Sequence, residues 1–142
     1  MAEKISFEKK DVEAGKGMAI LSYIGILALI PYFAEKKNKY VRFHAVQGIN
    51  LLLIEVALGI IYGIISAIVT AATVTSVVPY GGYYGYNAVA AASSAGAVLV
   101  VGTIFMIVWL ALAVFIILGI INAASGKGKE IPLLGKIKFI KK

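Results

Sequence analysis

The sequence predicts an all-α protein: a polytopic transmembrane helical bundle of three spans, with an interfacial segment after the first. Three observations carry this prediction. The 142 residues are 61% hydrophobic, with a mean hydropathy of +0.92, whereas a soluble domain keeps its apolar fraction nearer one half. The apolar residues are gathered into long runs: residues 96–121 hold no charge and residues 45–78 hold only Glu55. Crossing about 30 Å of hydrocarbon takes about 20 such residues, and both runs meet that requirement. A third, shorter run covers residues 17–34.

Residues 1–16 form a polar tail in which four lysines are balanced by four acids; they lack the pattern of a cleaved signal peptide. The transmembrane domain follows over residues 17–126, with spans at about 17–34, 45–78 and 90–124. Pro31 is expected to kink or stop the first span near its end. In residues 35–48, EKKNKYVRFHAVQG, basic residues alternate with Tyr40, Val41 and Phe43, a mixture that suits the headgroup layer. The second span continues to Pro79. The uncharged PYGGYYGYN of residues 79–87 reads as a turn at the membrane surface, and the small residues 88–95 open the third helix. Gly126 is placed to end that helix. The basic tail 127–142 follows, with a Lys136-Ile137-Lys138-Phe139 alternation that suits a strand or an interfacial strip.

Basic residues near the span ends set the orientation. The 35–44 loop carries four and the C-terminal tail six, against four in the N-terminal tail and none in 79–95. With three spans, the 35–44 loop and the C-terminus lie in the cytoplasm and the N-terminus outside. A first segment that only re-enters the membrane would instead leave both termini inside.

Composition excludes much chemistry. There is no cysteine and a single histidine, His44, so thiol catalysis, disulfides and a His-rich metal cluster are ruled out. No catalytic residues, cofactor site or metal site are expected, and nothing resembles an enzyme's constellation of nucleophile, base and oxyanion donors. The +7 net charge speaks to topology and anionic lipid headgroups, not to nucleic acid.

The second span carries the most informative pattern. Counting from His44 at 100° per residue, Glu55 falls at about 20°, Tyr62 at about 0°, Ser66 at about 40° and Thr73 at about 20°. Val46, Ile49, Leu53, Val56, Ile60 and Ile64 occupy the opposite side. These polar residues define an intramembrane face. A carboxylate at membrane depth costs about 2.5–3.5 kcal/mol on insertion scales, so Glu55 should face other helices. It is either a proton, ion or substrate contact, or a clamp hydrogen-bonded to Tyr62, Asn50 or a serine of another span. His44 and Gln47 lie where the helix begins, suited to headgroup hydrogen bonding. Ser22, Gly25, Gly119 and Ala123 offer small surfaces for close helix approach, and Trp109 suits packing.

Residues 22–48, SYIGILALIPYFAEKKNKYVRFHAVQG, resemble the signature of the Tic-twenty-like membrane proteins. The shared features are a Y-x-G-x-L-x-x-x-P stretch, a charged loop and an aromatic-His-Ala-x-Gln-Gly start to the second span. Residues 120–137 resemble the same family's C-terminal segment. Phe43, His44, Ala45, Gln47, Gly48, Pro132, Leu133 and Gly135 match the motif. The family contains bacterial proteins of unknown function and a channel-associated subunit of the chloroplast inner-envelope translocon. Within it the sequence is most similar to the magnetosome-membrane branch, small three-span proteins that influence magnetite crystal growth. The resemblance implies no catalytic role for any matched residue. The 66–95 stretch departs from the pattern.

The expected function is therefore that of a non-enzymatic integral membrane protein. It would act by assembly, as a homo-oligomer or with a membrane-protein partner, using the face around Glu55. A channel or protein-translocation component formed by oligomers is the first alternative, and a magnetosome-type organelle membrane protein affecting mineral growth the second. The expected location is a bacterial or archaeal cytoplasmic membrane, or an organelle membrane derived from it.

Overall fold

Helix α1 (Lys9–Leu21) begins inside the polar tail, and its last turn ends abruptly. The Ser22 hydroxyl donates back to the Met18 carbonyl at 2.9 Å, and Ile24 leaves helical geometry at φ −102°, ψ 74°. Gly25 follows at φ +48°. A 3₁₀ turn over Gly25–Ala28 then leads into α2 (Leu29–Ala34). This computed structural model describes residues 4–77 and 84–132, and for 73–77 and 84–94 it describes the backbone alone. Two long helices, α3 (Lys39–Val77) and α4 (Tyr84–Ala124), make up most of the chain. A two-residue ladder completes it, with β1 (Lys4–Ile5) antiparallel to β2 (Gly128–Lys129).

The break after α1 corrects the expected first span. Residues 17–34 are not one helix, and their apolar part, Gly25–Ala34, is too short to cross a membrane. Pro31 neither kinks nor stops it. The proline sits in the first turn of α2, where a backbone N–H would have no intrahelical acceptor. Two helical stretches are long and apolar enough to cross, Lys39–Ala72 and Ala95–Ala124. Beyond the buried first turns of α3, most of their large side chains are exposed: Ile68 is 63% exposed and Leu99 68%. A soluble core helix would bury such a surface, so the exposure suits lipid.

By its internal contacts the chain divides into two units, one of residues 1–56 with 111–142 and one of 57–110. In the first, Asn38 caps α3 by accepting the Val41 N–H at 3.0 Å, and its amide donates to the Asp11 carbonyl at 2.9 Å. That second bond ties α1 to the start of α3. The end of α4 is closed by the Lys127 N–H on the Asn122 carbonyl, with Gly126 N–H on Ala123. Gly126 adopts φ +69°, the left-handed residue that this helix stop requires. In the second unit, Tyr62 packs its ring on Phe105 at 4.7 Å between centroids.

The ladder also overturns the expected placement of the N-terminus. Lys4 pairs with Lys129 and Ile5 with Gly128, so segments assigned to opposite faces by three spans are hydrogen-bonded together. Counting charges could not decide this, because the count depends on whether the first apolar segment crosses. In the naturally cysteine-free chain, single cysteines at Lys10 and Lys129 are therefore expected to react with an impermeant thiol reagent from the same side of the membrane. Labelling from opposite sides would restore the three-span topology.

Candidate functional site

The motif over residues 43–48 lies in the first turns of α3, and the structure turns it inward. Phe43, His44, Ala45, Val46, Gln47 and Gly48 are all buried, His44 completely. Neither His44 nor Gln47 meets the headgroup layer, as their position at the helix start had suggested. Tyr40 and Phe43 are likewise interior, although they read as belt aromatics. The N-terminal segment covers them: Phe7 sets its ring against Tyr40 at 5.4 Å and against Phe43 at 5.5 Å.

His44 sits in an aromatic cage. Tyr40, Phe43 and Tyr23 stand edge-on around it at centroid distances of 4.7, 5.2 and 5.7 Å. The Tyr23 hydroxyl is 2.8 Å from His44 Nδ1. Burial, helped by the neighbouring Tyr40, pushes the Tyr23 phenol well above its usual range, so its proton stays in place and is available to the imidazole. No acceptor closes a hydrogen bond on His44 Nε2.

Two further contacts draw distant segments onto the same helix end. The Tyr40 hydroxyl donates to the Ala123 carbonyl at 2.5 Å, fastening the last turn of α4. Gln47 Oε1 accepts the Ile131 N–H at 3.1 Å, holding the strip after β2, while Gln47 Nε2 makes no hydrogen bond. The two halves of the sequence motif thus meet at Gln47 and Ile131, next to Pro132. Leu133 and Gly135 lie outside the described residues.

Gly48 explains itself by what it touches. A Cβ there would overlap the Ser22 carbonyl oxygen, so the break after α1 packs directly on the α3 backbone. Gly119 accepts the Tyr23 ring in the same manner. The small positions Ser22, Gly119 and Ala123 all join this one joint, and all are buried.

The intramembrane polar residues are not part of it. Glu55 is half-buried farther along α3, Tyr62 and Ser66 belong to the second unit, and the side chain of Thr73 lies outside the described residues. Most of the expected 79–87 turn is also outside them, although residues 84–87 form the first turn of α4. Among the described residues no group of three or more His, Asp or Glu could hold a metal ion. Sequence reading missed Tyr23, Tyr40 and Phe7 as site residues. Only Tyr23 left a signal, as the first position of the Y-x-G stretch.

What this arrangement does chemically is to lock five segments together: β1 with its flanking Phe7, the break after α1, the start of α3, the end of α4 and the strip after β2. It is a packed polar joint with its histidine shut away from solvent. Among characterised proteins, the chain is 43% identical over 54 residues to magnetosome protein MamF of Paramagnetospirillum magneticum. That alignment covers 36% of this chain and 49% of MamF, so the chain spans about half the length of this relative. No solved structure matches. The match to the magnetosome magnetite crystal formation protein family runs over residues 14–140, from α1 through both long helices and past the joint, and the chain belongs to that family.

Proposed function

We propose that the protein is a non-enzymatic component of a bacterial organelle membrane that influences the growth of a magnetite crystal by assembling there. The family match over residues 14–140 carries this reading. The two helices long and apolar enough to cross a membrane support it. They would hold the protein in the bilayer, with the joint that fastens the start of α3 to the end of α4 at one face. All 14 lysines and arginines fall at or before residue 42 or after residue 126, so the positive-inside rule puts that face in the cytoplasm.

Assembly is favoured by Glu55. It is half-buried on α3 within a stretch whose other residues suit lipid, where a carboxylate is costly. A neighbouring protomer or partner helix would cover it. The resemblance to the Tic-twenty-like proteins, over residues 22–48 and 120–137, adds no separate activity.

The experiment is gene deletion in a magnetite-forming host, followed by complementation with the wild-type and the Glu55→Leu chains. Electron microscopy should show altered crystal size or shape in the deletion, restored by the wild type. Crystals indistinguishable from wild type in the deletion strain would remove the mineral role. Loss of oligomers in nanodiscs with Glu55→Leu supports assembly; unchanged oligomers would exclude the Glu55 face as the contact.

A further inference from the structure

A cavity of about 210 Å³ opens beside the start of α3, lined by Ile5, Phe7, Lys39, Arg42 and Phe43. Its wall combines three apolar side chains with two cations, and no acidic side chain lines it among the described residues. Lys39 and Arg42 are three residues apart, so they share one face of the helix. Arg42 is additionally held over the Tyr32 ring, with Cζ 5.7 Å from its centroid. That contact leaves the planar guanidinium fork positioned and its donors available.

We propose that this cavity binds one anionic phospholipid, with the phosphate on Lys39 and Arg42 and the glycerol and upper methylenes of one chain against Ile5, Phe7 and Phe43. Three features select this occupant. Lys39 and Arg42 lie in the first turn of α3, the helix that carries the apolar stretch Lys39–Ala72, and basic residues at the end of such a stretch suit the headgroup layer. A guanidinium and an ammonium side by side match a phosphate in charge and in donor geometry. The apolar remainder gives a free anion nothing to occupy, and at about 210 Å³ the cavity is below the usual 300–1,000 Å³ of a small-molecule pocket. It therefore takes part of a ligand whose remainder lies in the bilayer.

The site is also built by tertiary structure. Ile5 reaches it because β1 pairs with β2, and Phe7 because it stacks on Tyr40 and Phe43. Bound lipid would thus fasten the N-terminal segment to α3.

The test uses the full-length, delipidated protein in a mild detergent, with equal phosphatidylglycerol and phosphatidylcholine, read by native mass spectrometry. One phosphatidylglycerol should be retained in preference to phosphatidylcholine. The Lys39→Gln/Arg42→Gln pair should lower that retention about tenfold or more, while Arg42→Lys should keep most of it. Equal retention of both lipids overturns the proposal. So does full competition by inorganic phosphate, which would make the site one for a free anion. A second measurement leaves both cations in place: a Phe7→Trp reporter in a Trp109→Phe background. Brominated phosphatidylglycerol should quench it more strongly than brominated phosphatidylcholine, and equal quenching would exclude lipid selection at this cavity.

Discussion

Replacing Gly48 with alanine is expected to unseat the segment between α1 and α2 and to lower the stability of the first unit substantially. The added methyl would overlap the Ser22 carbonyl oxygen. That is a backbone atom, held by its place immediately after α1, so it cannot swing aside as a side-chain tip would. Overpacking in a well-packed interior costs about 1–3 kcal/mol and occasionally more. The upper end is expected here, because relief requires either moving the break or shifting α3. Gly59 and Gly63 on the same helix supply the control, since a Cβ at either meets nothing within 4 Å. There, alanine should be neutral or slightly stabilising, because glycine inside a helix is about 1 kcal/mol less favourable than alanine. Thermal unfolding followed by circular dichroism in detergent checks the comparison. If Gly48→Ala matches Gly59→Ala, the packing at Ser22 is not as described.

The second large effect is expected at His44. Alanine there empties the space between Tyr40, Phe43 and Tyr23 and leaves the Tyr23 hydroxyl without its partner at 2.8 Å. Truncating a large, fully buried side chain typically costs about 2–5 kcal/mol, and a buried polar group left unpaired costs about 1–3 kcal/mol. Tyr23→Phe isolates the polar part, since it removes only the hydroxyl, and should cost about 1–3 kcal/mol on its own. A double-mutant cycle of Tyr23→Phe with His44→Ala should show a coupling of about 0.5–3 kcal/mol. Strict additivity would mean that the tyrosine and histidine do not act as a pair. Neither change touches the lipid-facing surface, so both variants should still partition into membranes.

These effects bear on function through the joint. The residues shared by the motif are not arranged around a reacting group. They meet as Gln47 on the Ile131 N–H, His44 on Tyr23 and Gly48 under Ser22. A motif of this kind holds a surface in shape, and mutations in it should act through loss of that shape.

The sequence by itself determined the two long apolar helices, the helix stop at Gly126 and the kinship with the magnetosome branch. Hydrocarbon thickness imposes a length of apolar residues that residues 45–78 and 96–121 satisfy without reference to any neighbour. A left-handed stop after a helix needs glycine whatever lies around it. Tertiary structure decided the rest. Whether residues 17–34 cross depended on the break at Ile24 and Gly25, and apolarity alone does not distinguish a span from a broken interfacial segment. Tyr40, Phe43, His44 and Gln47 look like headgroup residues from their place at a helix start. They are interior because Phe7, Tyr23, Ala123 and Ile131, up to 84 positions away, fold over them. Periodicity names the face of a helix, but the partner that covers that face is chosen by long-range contacts.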